Sequence, residues 1–81
     1  MARREFIEAA KAAAFTCEDG RQIIHCIGRI CGADWDLDDV VREIETADAV
    51  QWGDHIIGHD LMVKKGRFLW SFNVKRPEVA A

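Results

Sequence analysis

Asp36 to Trp52, read as DLDDVVREIETADAVQW, decides the fold, because the spacing of apolar residues changes inside it. Leu37, Val40, Val41 and Ile44 recur at helical spacing, while Val50 and Trp52 alternate with Ala49 and Gln51. A period of 3.6 followed by a period of 2 predicts a helix that gives way to strands near residue 48. The helix is expected over 36–47, with Asp36 as N-cap, Asp39 at N3, and Trp35 and Val40 placed to form a hydrophobic staple. Asp38, Asp39, Arg42, Glu43 and Thr46 are then expected to face outward.

Towards the N-terminus, Phe6, Ala9, Ala10 and Ala13 share one stripe with Ile7 at its edge, which predicts a helix over 2–14. Thr16 and Asp19 have capping-box spacing, and Ile23, Ile24, Ile27, Ile30 and Cys31 lie at helical intervals. Together they predict a second helix over 17–31, closed by Gly32, with Arg21, Gln22, His25 and Arg29 on its polar side. Towards the C-terminus, His55 to Val63 reads as a strand with a bend at Gly58, and Lys64-Lys65-Gly66-Arg67 as a turn. Phe68, Trp70, Phe72 and Val74 alternate with Leu69, Ser71 and Asn73 in the strongest strand pattern of the chain. The expected fold is thus α+β: three helices followed by an antiparallel β-hairpin of two to three strands. Residues 1–76 form one domain and 77–81 a flexible tail. Ile27, Ile44, Phe68 and Trp70 are the expected core.

Eighty-one residues leave room for one hydrophobic core, and 49% apolar residues are enough to fill it. No apolar run approaches the ~20 residues that span a bilayer. Glu5, Glu8 and Lys11 interrupt the N-terminal segment where a signal peptide needs an apolar core. Cys17, Cys26 and Cys31 are odd in number and show no CxxC pair, so no disulfide framework is expected and a reducing cytoplasm is the expected compartment.

Charge is divided sharply along the chain. Residues 34–60 hold nine acids against Arg42 alone, whereas 61–81 hold Lys64, Lys65, Arg67, Lys75 and Arg76 against Glu78. P-loop, dinucleotide-turn and HExxH patterns are missing, and Ser71, the only serine, lies in a strand without a nucleophile elbow. No enzymatic activity and no catalytic residue are expected. His55 and His59 on a strand would stand ~13 Å apart, too far to share a zinc ion, so no metal and no cofactor are expected.

The order of helices and hairpin resembles that of winged-helix DNA-binding domains, with Gly32 to Trp35 as the helix-turn-helix connection and Lys64, Lys65 and Arg67 at the wing tip. That resemblance implies a nucleic-acid-binding role for these three basic residues. Against it, the would-be recognition helix carries Asp36, Asp38, Asp39, Glu43 and Glu45, which a phosphate field repels. The same acids suit a basic protein partner. In size and charge the chain is similar to small phage-encoded inhibitors such as anti-CRISPR proteins. The leading expectation is a non-enzymatic interaction protein that docks a basic, nucleic-acid-binding-type partner through Asp38, Asp39, Arg42 and Glu43. A winged-helix-type DNA-binding regulator is the alternative. Met62 and Leu69, beside Ile56 or Ile57, are expected on an apolar sheet face that a second copy or another partner would cover.

Overall fold

The helices expected over 2–14 and 36–47 form, whereas the described part of the helix expected over 17–31 is a turn and a strand. The computed structural model describes residues 3–27, 34–53 and 61–76. Its elements in chain order are α1 (Arg3–Ala13), β1 (Phe15–Thr16), β2 (Gln22–Ile27), β3 (Asp34–Asp36), α2 (Leu37–Thr46), β4 (Ala49–Trp52), β5 (Leu61–Lys65) and β6 (Phe68–Phe72). Every strand pairing is antiparallel. Among the described residues the fold is therefore two helices and a six-stranded antiparallel sheet. It is α+β, but it is not three helices followed by a hairpin, and it does not have winged-helix order.

The correction falls on residues 17–27, the described part of that expected helix. Cys17 to Arg21 form a tight turn, in which the Cys17 amide donates to the Arg21 carbonyl at 2.8 Å and the Gly20 amide donates to the Cys17 carbonyl at 2.9 Å. Gly20 takes a φ of 89°, a conformation that suits a turn glycine and has no place in a helix. The Thr16–Asp19 capping box therefore does not form. From Gln22 onward the chain is extended: Ile24 and Cys26 enter the core, His25 stays exposed, and Ile23 is buried outside that core cluster. Isoleucine is β-branched and sits well on a pleated surface, which favours the strand over the helix that the spacing also allowed. Cys26 is disulfide-bonded, contrary to the expectation of no disulfide, whereas Cys17 is free.

β2 is the hub of the sheet. Ile23 pairs with both Phe15 of β1 and Asp36 of β3, and Cys26 and Ile27 pair with Phe72 and Ser71 of β6. β6 continues to β5, and β5 to β4. Strand alternation puts Ile24, Cys26, Leu61, Val63 and Phe72 on one face, with Val74 just beyond β6, and these meet Phe6, Ala9 and Ala10 of α1 and Leu37, Val40 and Ile44 of α2. Trp35 and Trp70 pack against this core from its edge. Arg3 links the two helices by donating from Nη1 to the Ile44 carbonyl at 2.6 Å, satisfying an acceptor in the last turn of α2. Phe6 meets Trp52 of β4 with ring centroids 4.9 Å apart.

Phe68, expected in the core, is 52% exposed. It lies beside the β5–β6 turn, where Lys65 pairs with Phe68 across a two-residue loop of Gly66 and Arg67. A positive φ of 59° at Gly66, the first loop residue, follows the type II′ pattern. A methyl group added at Gly66 would meet nothing within 4 Å. Gly66→Ala should therefore cost about 1–2 kcal/mol through the backbone alone, read as a lower urea midpoint with an unchanged slope. An unchanged midpoint would mean that the turn does not require a left-handed residue. Ile27 ends β2, and the core expectation for its side chain lies outside what is described, as do the expectations for His55, Ile56, Ile57, Gly58, His59 and the 77–81 tail.

Candidate functional site, a groove beside the acidic helix

The acidic helix begins directly after β3, so its first turn stands beside the β1–β2 turn that β2 also holds in place. Between them runs an open groove of about 500 Å³. Gly20, Arg21 and Gln22 form one wall, and Asp36–Asp39 with Arg42 form the other. Acids in a first turn favour the helix through its macrodipole. Asp36 occupies the N-cap position with extended backbone (φ −62°, ψ 141°), but its side chain makes no capping hydrogen bond. The carboxylate is thus not consumed by the helix terminus.

The charges of the groove are unequal. Arg21 is held by Asp19, whose carboxylate accepts from the Arg21 amide at 3.1 Å and from its Nε at 2.8 Å. Arg42 lies 3.9 Å from Asp39. Asp36 and Asp38 form no ion pair with any described residue. With Arg21 answered by Asp19, the groove is left net acidic. Pairs this exposed are screened by solvent, so they bias the local charge more than they stabilise the fold.

The Arg21 amide, and after it the Arg21 side chain, holds the Asp19 carboxyl below its ordinary pKa of 3.8. Because the folded value is the lower one, this contact favours the folded turn above the ordinary value and is lost as pH falls through the lowered one. A carboxyl-detected NMR titration of Asp19 should give a midpoint below 3.8, returning towards it in Arg21→Ala. A wild-type midpoint at or above the ordinary value would remove the pairing from solution.

Three of the four residues expected to bind a partner, Asp38, Asp39 and Arg42, do line this groove. Glu43 does not. It is 22% exposed and faces the hairpin, where its carboxylate lies 3.7 Å from Lys65 Nζ. Lys65 also donates to Thr46 Oγ1 at 3.1 Å, and Thr46 in turn donates to the Arg42 carbonyl at 2.8 Å. Two residues assigned from sequence to rival surfaces thus bind each other. Of the three hairpin cations of the nucleic-acid reading, Lys64 and Arg67 form no ion pair with a described residue. The turn itself is held by Asp48, whose carboxylate accepts from the Gly66 amide at 2.7 Å.

Sequence reasoning missed Gly20 and Arg21 as groove residues because it placed them inside a helix. The Asp19-Gly20 pair, a common hairpin signal, was the available clue. A second, mainly apolar groove of about 400 Å³ lies among Ala9, Ala12, Ala13, Asn73 and Lys75. No group of three His, Cys, Asp or Glu side chains among the described residues is placed to hold a metal ion. No described helix is long and apolar enough to cross a membrane. Compared with known protein families, curated proteins and solved structures, the chain matches none.

Proposed function

We propose that this chain is a non-enzymatic interaction protein that docks a basic segment of a protein partner in the groove beside α2. The observation that carries this reading is the row of Asp36, Asp38 and Asp39 along one wall of an open, net acidic groove. A cationic side chain entering there meets carboxylates held by a helix, so little ordering is required of the site on binding. Such a surface also speeds encounter with basic partners and repels nucleic acid. Small inhibitors that cover the nucleic-acid-binding groove of another protein need these properties, and this is the role proposed. The DNA-binding alternative has less support, because Lys65 is engaged by α2 and the winged-helix frame is gone.

Titration with a lysine- and arginine-rich peptide tests the reading. Reversing Asp38 and Asp39 to lysine should weaken binding at least tenfold, or about 1.4 kcal/mol. Reversing Glu5 and Glu8 of α1, which makes the same change in net charge, should weaken it far less. Equal losses from the two double variants would reduce the groove to general electrostatics and overturn the proposal.

A further inference from the structure

We infer that the basic segment fitting this groove is carried by the chain itself, so that two copies dock reciprocally, each placing its β5–β6 turn in the other's groove. The inference rests on the groove reading above. At the turn, Phe68 is 52% and Leu69 51% exposed, and as neighbours on β6 they point to opposite faces of the hairpin, with exposed Lys64 directly across from Leu69 and Arg67 in the loop. A hairpin tip with an exposed apolar side chain on each face and cations beside them has the composition of an inserting contact.

The turn is also preorganised. Phe68 stacks on Trp70 with ring planes 1° apart and centroids 5.4 Å apart. The Gly66 amide is bound by Asp48, and Lys65 is tied to Thr46. A rigid aromatic anchor loses little entropy on docking. Its cations complement the groove's Asp36, Asp38 and Asp39.

The turn cannot fill the groove of its own molecule. Lys65 is held at Glu43 and Thr46, in the last turns of α2, whereas the groove lies at the first. Ten helical residues separate the two ends by about 15 Å. A second copy related by a two-fold axis satisfies both contacts at once and closes the assembly. Two small contacts of this kind give a weak, salt-sensitive dimer, with Kd on the order of micromolar.

Sedimentation equilibrium on the intact chain, at low and high salt, tests the dimer. Wild type should dimerise at low salt and dissociate as salt rises. The double variants Asp38→Lys with Asp39→Lys, and Lys64→Glu with Arg67→Glu, should each be monomeric while keeping the wild-type circular dichroism spectrum. Mixed in equal amounts they should form a heterodimer, because both contacts then pair opposite charges again. A monomeric wild type at low salt, dimerisation that survives both reversals, or a mixture that stays monomeric would each overturn the inference. The lysine- and arginine-rich peptide, titrated into the Lys64→Glu, Arg67→Glu protein, separates this failure from that of the groove reading. Peptide binding alongside a monomeric wild type removes self-docking and leaves the groove, whereas loss of both removes both.

Discussion

Phe72→Ala should lower the stability of the fold by about 3–5 kcal/mol, the largest effect expected of any single substitution here. Phe72 is fully buried, pairs with Cys26 on one side and Leu61 on the other, and sits where the faces of β2, β5 and β6 meet. Its truncation removes core volume at the seam of the sheet, which backbone pairing prevents from collapsing inward. A domain of 81 residues has a total stability of only about 4–12 kcal/mol, so the loss is a large share of the whole. Urea denaturation followed by far-ultraviolet circular dichroism measures the change. A loss below about 1 kcal/mol would mean that this seam is not the core.

Trp35→Ala should cost nearly as much, about 3 kcal/mol or more, although Trp35 is only half-buried. Its ring lies 5.2 Å from that of Trp70 and meets Phe72 edge-on at 5.3 Å, so its loss exposes two aromatic neighbours at once. Aromatic pairs add about 0.5–1.5 kcal/mol beyond area burial, so Trp35→Phe should recover most of the loss. The same denaturation series checks this, and equal losses in the alanine and phenylalanine variants would show that the ring contacts contribute little.

Trp35 also shows how much could be read from sequence. It was placed next to the start of the acidic helix, and it is there, but its principal partners lie on β6, far along the chain. α1 was legible because alanine and charged residues at strict helical spacing leave few alternatives, and α2, despite the branched Val40, Val41 and Ile44, because acidic residues fill its first turn and polar residues separate its apolar stripe. β4 and the β5–β6 hairpin were legible because Val50, Trp52 and the run from Phe68 to Phe72 keep a period of 2. Residues 17–27 were not, because isoleucines at 23, 24 and 27 satisfy helical spacing while their branching favours a strand. Sequence spacing alone could not weigh the tertiary surface that Ile24 and Cys26 cover. The same misreading hid half of the groove, since its β1–β2 wall exists only if Gly20 and Arg21 belong to a turn. Phe68 was misplaced for another reason: alternation identifies which face a residue takes, but not how far along that face the helices reach.

The position of β2 bears on how the chain finds its fold. The β1–β2 and β5–β6 hairpins join neighbours in sequence, and each can form within microseconds. β2 and β6 are separated by α2 and the strands β3, β4 and β5, yet their junction, marked by the Asn73 amide donating to the His25 carbonyl at 2.9 Å, binds the two ends of the chain into one sheet. Closing that long loop must be offset before any seam contact is gained, so this junction sets the folding barrier. Substitutions at Cys26 or Phe72 should therefore slow folding, whereas those confined to the β5–β6 turn should mainly speed unfolding.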